Sequence, residues 1–314
     1  MVSAVPGDLP VVRELSRTRD GRRWLAALPQ LIDEVSDAFG LVLGPPLRGG
    51  SCSWVAPATL ADGTAVILKI GWPHREMYAE PAALRLWDGH GAVRLFRHDP
   101  ARHALVLEQC LPGEQLGARI MAPADALRIG AGVLRKLWSA GVPENRAALP
   151  ADPATIESLV DVAGDWGDLV TERMTRLRPA YDPGLVAEGA RLLHDLPASA
   201  PREVVLHGDF NPGNILSSGD GWVAIDPKPL IGDPAYDVAP LLNQIADPYA
   251  TADPAGTLRD RIALLAAELD LDRSRIAAWA VARKVESALW RTHHDREAEG
   301  AADLATAALL AGLY

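Results

Sequence analysis

The pattern of hydrophobic and polar positions changes character near residue 110. Before that point, short apolar runs bounded by turn residues predict β-strands. An Asp-Gly pair in the turn Ala61–Thr64, between two of these runs, is a strong hairpin signal. The predicted strands are Leu41–Pro46, Trp54–Leu60, Thr64–Ile70, Ala92–Phe96 and His103–Glu108. The pattern therefore predicts a small antiparallel sheet.

Two helical segments accompany these strands. Apolar residues recur at helical spacing between Gly21 and Phe39, and Pro29 inside the segment allows either two short helices or one kinked helix. Pro73 is typical of a helix start, and the residues after it carry Met77, Leu84 and Trp87. We therefore expect one helix before the hairpin and another after it.

From Ala122 onward the apolar spacing is mostly helical. Two short predicted strands, Val204–Leu206 and Trp222–Asp226, interrupt it around a polar loop. The predicted helices are Asp125–Ala140, Thr155–Arg176, Leu185–Leu196, Asp237–Asp247, Thr257–Leu269 and Ile276–Trp290. We therefore predict an α+β protein with an N-terminal lobe over residues 1–110 and a larger helical lobe over 111–314.

Composition narrows the class of partner. The 314 residues include 31 basic and 41 acidic side chains, a net charge of −10, which disfavours nucleic acid and anionic membranes as partners. A cationic substrate would be attracted, although an acidic surface also serves solubility. Met1–Pro10 has no leader pattern, and no apolar run approaches the roughly 20 residues of a membrane span. Since the two cysteines form no CxxC pair, we expect a cytoplasmic protein without structural zinc or disulfides.

The polar loop after Val204–Leu206 carries the most informative chemistry. Asp209 lies in this loop, Asn214 follows five residues later, and Asp226 ends the next apolar run. Hard oxygen ligands of this kind suit Mg²⁺, which keeps phosphate oxygens and water in its remaining positions. Asp209 would then accept a proton from an attacking hydroxyl or orient it. A polar hairpin is the alternative interpretation, because Asp, Asn, Pro and Gly are common turn formers.

The same loop resembles a known family. His207-Gly208-Asp209 with Asn214 and Asp226 is similar to the catalytic and metal-binding segments of aminoglycoside phosphotransferases, whose fold is similar to that of protein kinases. The segments 225–229 and 232–237 resemble the branch of streptomycin 6-kinases and hydroxyurea phosphotransferases. The resemblance covers most of residues 40–245. It implies a bilobal protein-kinase-like fold that uses ATP and Mg²⁺.

The resemblance also implies a lysine that binds the nucleotide phosphates, paired with a glutamate on the next helix. Lys69 is a lone charge in an apolar strand, which otherwise would be a lysine reaching solvent from a sheet edge. Glu76 and Glu80 are both candidate partners because they are four residues apart and share a helix face. We favour Glu80, since it directly precedes an apolar helical run.

Other nucleotide contacts are implied less directly. The stretch 48–53, which includes Ser51, could cover the phosphates, although it departs from the kinase GxGxxG and a glycine pair between strands is more often only a turn. Glu108 and Cys110 lie where family members bind the adenine edge through the main chain. No GxxxxGK[ST] occurs, which argues against a P-loop fold.

The remaining candidate residues have either a supporting role or a role that the sequence leaves open. The resemblance implies that His207 supports the loop and that Asp233 and Asp237 brace it. Lys228 either reaches phosphate or pairs with a carboxylate, and the sequence leaves both open. Trp290 could stack on a substrate or belong to the core. Glu157, Asp161, Glu286 and Asp295 are unranked candidates for an acidic acceptor pocket.

These expectations combine into a small-molecule O-phosphotransferase. Asp209 is the predicted catalytic residue, and Asn214 and Asp226 are the predicted metal ligands. We predict streptomycin-type 6-phosphorylation, which would inactivate the antibiotic. A kinase of the same fold acting on hydroxyurea, a sugar or an amino alcohol is the first alternative, and a non-catalytic nucleotide-binding module is the second. A protein kinase is disfavoured, because no activation segment with an APE-like end lies between Asp226 and Asp237.

Overall fold

The computed structural model describes residues 5–140 and 156–314. Its first sheet has five antiparallel strands in the order β1-β2-β3-β5-β4. These are β1 (Val42–Leu43), β2 (Ser53–Thr59), β3 (Ala65–Gly71), β4 (Leu95–Asp99) and β5 (Ala104–Glu108). The predicted N-terminal antiparallel sheet is therefore confirmed.

The Asp-Gly turn sets the register of the β2–β3 hairpin. The Asp62 carboxylate accepts a hydrogen bond from the Thr64 amide at 2.9 Å, and Gly63 adopts a φ of 86°, which favours glycine. The resulting register pairs Val55 with Lys69. Because side chains alternate along a strand, the neighbours of Lys69 on β3 point into one core while Lys69 itself faces the opposite side.

Helices α1 (Pro10–Leu15) and α2 (Arg19–Phe39) cover the first face of the sheet. The segment around Pro29 is one continuous helix, so the two-helix alternative is wrong. Buried residues lie on both sides of the proline and pack in the same core as the strands, which holds the helix together despite the missing amide. These residues are Leu28, Ile32 and Val35.

Helix α3 (Glu80–Trp87) lies on the other face of the sheet, and the predicted helix start at Pro73 is wrong. Residues 75–77 form a short 3₁₀ turn instead. A helix running from Pro73 to Trp87 would hold Pro81 in its interior, where proline removes a hydrogen bond and clashes with the preceding turn. Starting at Glu80 places Pro81 in the first turn, where its missing donor has no cost.

The strands before and after the polar loop that carries Asp209 belong to two small sheets. One has the order β10-β9-β6 and the other β7-β11-β8. Asp226 follows β10 with a φ of 56°, so the predicted strand 222–226 ends earlier. The segment that follows residue 111 forms a strand. Ala92 makes an isolated bridge to Ala224, and the predicted strand 92–96 is shifted to 95–99. The members are β6 (Pro112–Gln115), β7 (Glu157–Ser158), β8 (Val204–Leu206), β9 (Ile215–Ser218), β10 (Gly221–Ala224) and β11 (Leu230–Gly232).

Seven helices of the described residues form the rest of the second core around β5, α3 and the two small sheets. Each predicted C-terminal helix is found with its ends shifted by a few residues, and Thr155 lies outside the described residues. The last helix was not predicted. The helices are α4 (Pro123–Ser139), α5 (Leu159–Leu177), α6 (Pro183–Ala198), α7 (Val238–Gln244), α8 (Pro254–Leu269), α9 (Arg273–His293) and α10 (Glu297–Ala311).

Two apolar clusters result, one between the sheet and α2 and a larger one that includes α3 and the C-terminal helices. Because α3 joins the larger cluster, the sheet is held against the helical part through one of its faces. We retain the division of the chain at residue 110 as a proposal. Within the described ranges 5–140 and 156–314, no helix is both long and apolar enough to span a bilayer.

Candidate active site

The loop between β8 and β9 is held from below by Asp237. Its carboxylate accepts the amides of His207 at 2.8 Å and Gly208 at 2.9 Å, and also the Trp138 indole N–H at 3.4 Å. Gly208 has a φ of 81°, and a Cβ there would lie 1.8 Å from the Lys228 carbonyl oxygen. The loop can therefore approach the segment after Asp226 only because this position is glycine.

His207 is fully buried beneath the loop. Its Nε2 lies 2.9 Å from the Ile225 carbonyl oxygen, and its Nδ1 accepts the Asp209 amide at 3.3 Å. A carbonyl partner on one nitrogen and an amide donor on the other fit the neutral tautomer with hydrogen on Nε2. Burial lowers the pKa of His207, in agreement with that form. Its ring also stacks on Trp87 of α3.

The loop turns back so that Asn214 approaches Asp209. The Asn214 side-chain amide donates to the Asp209 carbonyl oxygen at 3.0 Å. Asn211 caps the short 3₁₀ turn Pro212–Asn214, and its side-chain Nδ2 donates to Asp209 Oδ1 at 3.2 Å. Because the Asn214 NH₂ group is used in this way, its Oδ1 is left as an oxygen ligand.

Lys69 of β3 contacts one carboxylate from α3 and one from the segment after β10. Its Nζ lies 2.6 Å from both Glu80 carboxylate oxygens and 2.5 Å from Asp226 Oδ1. Burial lowers the pKa of Lys69, but the charges of Asp226 and Glu80 outweigh this and raise it, so the lysine stays protonated. Lys69 in turn lowers the pKa of Asp226. The geometry thus places Glu80, the residue favoured from the sequence, beside Lys69.

Glu76 has a different partner. Its Oε2 lies 3.3 Å from Lys228 Nζ, which is also 3.5 Å from Asp209 Oδ2. Burial lowers the pKa of Lys228, but Asp209 and Glu76 outweigh this and raise it. Lys228 is therefore a second cation beside Asp209.

A cleft of about 240 Å³ lies under the sheet and is lined by most of the predicted site residues. Glu108 and Cys110 lie outside it, toward the segment that enters β6. The Glu108 amide already donates to the Arg94 carbonyl oxygen at 2.9 Å, so an adenine contact there would have to use the Glu108 carbonyl. Burial raises the pKa of the Cys110 thiol to about 11, which keeps it protonated. The predicted residues in the cleft are Ser51, Lys69, Glu80, Asp209, Asn214 and Asp226.

A second cavity of about 470 Å³ opens on the other side of Asp209. Trp166 and Trp290 line it together with Glu157 and Glu286, whereas the candidates Asp161 and Asp295 lie outside it. Burial raises the pKa of Glu286, while the charges of Arg283 and Arg173 act in the opposite direction. The cavity thus combines aromatic faces with carboxylates.

The donor set near Asn214 and Asp226 fits a magnesium ion that is also bound by phosphate. Lys69 occupies Asp226 Oδ1 and leaves Oδ2, and Asn214 contributes Oδ1. Across residues 5–140 and 156–314, no group of three or more His, Cys, Asp or Glu side chains could hold a metal. Two protein oxygens alone make a weak site, so phosphate oxygens and water would have to complete the coordination.

Comparison with known proteins places this geometry in a family. The model of the aminoglycoside/hydroxyurea antibiotic resistance kinases matches residues 44–295. The chain belongs to this family. It is 35% identical over 273 residues to streptomycin 6-kinase from Streptomyces glaucescens, covering 86% of this chain and 85% of that protein. It is 33% identical over 313 residues to hydroxyurea phosphotransferase from Kitasatospora aureofaciens, covering 99% and 87%.

The fold of this kinase agrees with that family. A choline/ethanolamine kinase family protein from Mesorhizobium loti superposes with a TM-score of 0.60 over 89% of this chain and 94% of that one. The two sequences are only 17% identical, so the likeness concerns the fold alone. The predicted α+β, protein-kinase-like fold is confirmed.

Sequence reasoning missed several residues that line the second cavity. Trp166 and Tyr236 stack at 6.2 Å, and the Arg283 guanidinium lies 4.3 Å from the Tyr236 ring centroid. Arg283 is one turn before Glu286 on α9, so the spacing of these two charges within an apolar run of that helix was the available signal. Which helix face meets the loop depends on long-range packing and could not be read from that spacing.

Proposed function

We propose that this kinase transfers the γ-phosphoryl group of ATP to the 6-hydroxyl of streptomycin and thereby inactivates the antibiotic. One observation carries the proposal: Asp209 lies between two cavities of different chemistry. The first contains the Lys69–Glu80 pair, which suits nucleotide phosphates, and the second contains carboxylates and tryptophans, which suit a cationic acceptor. A hydroxyl at the junction would lie beside both.

We assign the roles as follows. Lys69 binds the α- and β-phosphates and is positioned by Glu80, while Ser51 lies over the phosphate side of the cleft. Glu108 and Cys110 are assigned to adenine through their main chain. Asn214 and Asp226 would hold Mg²⁺, which supplies charge neutralisation on the β- and γ-phosphates when bound.

Asp209 is assigned as the group that receives the acceptor proton. The acceptor oxygen forms a bond to the γ-phosphorus while the bond from that phosphorus to the β,γ-bridging oxygen breaks. The bridging electron pair remains on ADP, and the hydroxyl proton passes to the Asp209 carboxylate and then to solvent. Because the Asn211 side-chain amide donates to this carboxylate, the carboxylate is oriented before substrate arrives.

The larger cavity supports a cationic acceptor. Glu286 supplies negative charge, and the Trp166 and Trp290 rings supply π faces to which a guanidinium binds. Glu157 adds a carboxylate that is paired with Arg75 in the same wall. Trp290 is 41% exposed, so its ring is accessible rather than part of the core. Hydroxyurea is a second candidate acceptor because of the similarity to hydroxyurea phosphotransferase, but it is small and neutral and uses little of this cavity.

Incubation of the purified chain with ATP, MgCl₂ and streptomycin tests the assignment. We expect ADP and a monophosphorylated product, with the phosphate located on the 6-hydroxyl by NMR. Asp209→Asn keeps the shape of the side chain and should lower kcat by about 10²–10⁴ while ATP still binds. Hydroxyurea in parallel assays separates the two acceptors.

Absence of a streptomycin product at any enzyme concentration, with rapid turnover of hydroxyurea, would reverse the order of the two acceptors. Unchanged turnover in Asp209→Asn would remove Asp209 from its assigned role. The non-catalytic module is set aside, because the family to which the chain belongs consists of kinases.

A further inference from the structure

Lys228 occupies a position that no other cation in the cleft shares. We call the 240 Å³ cleft that contains Lys69 the nucleotide-side cleft and the 470 Å³ cavity that contains Trp290 the acceptor-side cavity. Glu76, Asp209 and Lys228 line both. The transferred phosphoryl group must pass from one cavity to the other at this junction. Of the three side chains, only Lys228 carries positive charge.

The Lys228 main chain is fixed, whereas its ammonium is held loosely. Its amide donates to the His207 carbonyl oxygen at 2.8 Å, and its own carbonyl packs against Gly208. Its Nζ lies 3.3 Å from Glu76 and 3.5 Å from Asp209, longer than the roughly 2.7–2.9 Å of a strong ionic hydrogen bond. A cation held at these distances, with 41% of its side chain exposed, can exchange partners.

Lys69 differs in each respect. It contacts Glu80 and Asp226 at 2.5–2.6 Å, and its side chain is only 10% exposed. Four carboxylates lie around the junction, and Lys69 and Lys228 are the lysines that pair with them among the described residues. A triphosphate entering this region therefore needs cations beyond Lys69, and Lys228 is the mobile one. The carboxylates are Glu76, Glu80, Asp209 and Asp226.

We propose that Lys228 leaves Glu76 when nucleotide binds and contacts the oxygens of the transferred phosphoryl group, as a catalytic residue acting beside Asp209. The proposal rests on the kinase function proposed above. Glu76 holds the ammonium near the junction in the free enzyme and releases it to the more strongly charged phosphate.

The step in which Lys228 acts is the displacement at the γ-phosphorus. The bond from the acceptor oxygen to phosphorus forms as the bond to the β,γ-bridging oxygen breaks, with that electron pair going to ADP and the proton to Asp209. Lys228 neither gains nor loses a proton. It stays positively charged beside the equatorial oxygens of the phosphoryl group as this group passes from ADP to the acceptor.

Two substitutions separate charge from shape. Lys228→Met keeps the length of the stem without the charge, and Lys228→Arg keeps a cation. We expect Lys228→Met to lower kcat by about 10²–10³-fold, as loss of one preorganised transition-state contact does, with the KM for streptomycin within a few-fold of the wild-type value. Lys228→Arg should recover part of kcat. Lys136→Ala, on the exposed side of α4, is the matched control and should resemble wild type.

A binding measurement tests the same contact without turnover. ADP with Mg²⁺ and aluminium fluoride mimics the phosphoryl group in flight. Wild type should bind ADP more tightly when aluminium fluoride is added, and Lys228→Met should lose most of that gain while binding ADP alone normally. Melting temperature, measured for each variant, separates loss of fold from loss of contact.

The two proposals fail in different ways. A wild-type enzyme that does not phosphorylate streptomycin contradicts the proposed function, whatever Lys228 does. A Lys228→Met enzyme with kcat within threefold of wild type, or with an unchanged aluminium fluoride effect, overturns the role of Lys228 alone.

Discussion

At the scale of single residues, the loop between β8 and β9 depends on the absence of a side chain at Gly208. A Cβ there would lie 1.8 Å from the Lys228 carbonyl oxygen, a distance at which backbone must move. The φ of 81° adds strain for any L-residue. The contact joins the loop that carries Asp209 to the segment that carries Lys228.

We predict that Gly208→Ala abolishes measurable phosphotransfer and lowers the free energy of unfolding by more than 2 kcal/mol, about 1–2 of which is left-handed strain. Gly63→Ala is the control, because Gly63 has a similar φ of 86° with nothing within 4 Å of its Cβ position. It should lose about 1 kcal/mol and keep kcat. Urea denaturation and the kinase assay measure both. Equal losses in the two variants would show that strain, rather than the clash, sets the cost.

At the scale of secondary-structure elements, α9 and α10 are joined by a buried ionic cluster. Asp303 of α10 accepts hydrogen bonds from Lys284 Nζ at 2.7 Å and from Ser287 Oγ at 2.8 Å, and it pairs with Arg291 Nε at 2.8 Å. It is 6% exposed. Helix α9 also carries Arg283, Glu286 and Trp290 of the acceptor-side cavity, so α10 supports that wall.

We predict that Asp303→Ala lowers the free energy of unfolding by about 2 kcal/mol, because two partly buried cations lose their partner. This is below the usual cost of breaking a buried pair, since Lys284 and Arg291 are 24% and 30% exposed and can reach water. Glu299→Ala, on the same helix, removes an exposed pair with Arg296 and Arg291 and should change stability little. Denaturant unfolding curves of the two variants and wild type give the measurement. If the curves of Asp303→Ala and Glu299→Ala coincide, the cluster does not contribute the predicted stability.

Elements were predictable from the sequence where periodicity and turn chemistry agree. The β2–β3 hairpin follows from Asp62-Gly63, and the helices α4 to α9 follow from apolar spacing. Helix α10 was missed because Leu304, Ala307 and Leu310 are buried in an alanine-rich segment with little contrast between its faces. Alanine is a good helix former whose small side chain gives a weak hydrophobic pattern.

Element boundaries decided what could be predicted at the site. With one helix expected from Pro73, Glu76 and Glu80 shared one predicted helix face and both were candidate partners of Lys69, with Glu80 favoured. The real helix begins at Glu80. Glu80 is buried on the first turn, and Glu76 lies in a separate 3₁₀ turn that faces Lys228. The Lys69–Glu80 contact could thus be favoured from the sequence, but the Lys228–Glu76 contact required the fold.

At the scale of the whole molecule, the net charge of −10 should influence how a cationic acceptor arrives. The acceptor-side cavity has Glu157 and Glu286 in its wall and belongs to a protein of net negative charge. Salt screens this attraction at separations beyond the Debye length, which is about 10 Å at an ionic strength of 0.1 M.

We predict that kcat/KM for streptomycin falls several-fold when ionic strength rises from about 0.05 M to about 0.5 M, because screening weakens the attraction of a polycation to an acidic protein. The KM for MgATP, an anion, should not rise in parallel. Steady-state kinetics at both salt concentrations, with either substrate varied, provides the measurement. An equal rise in both KM values would point to a general salt effect on the enzyme instead of acceptor attraction.

The ion pair between Arg75 and Glu157 has a further consequence for the same cavity. Arg75, in the 3₁₀ turn before α3, donates to the Glu157 carboxylate at 2.5–2.9 Å, and both line the wall. A ligand cation that reaches Glu157 meets a carboxylate that is already neutralised. Its binding there is an exchange of one cation for another, and the gain is only the difference between two similar contacts. Arg75 thus competes with the ligand cation for Glu157, and a ligand that displaces Arg75 also removes one of the contacts between the turn before α3 and the helical part.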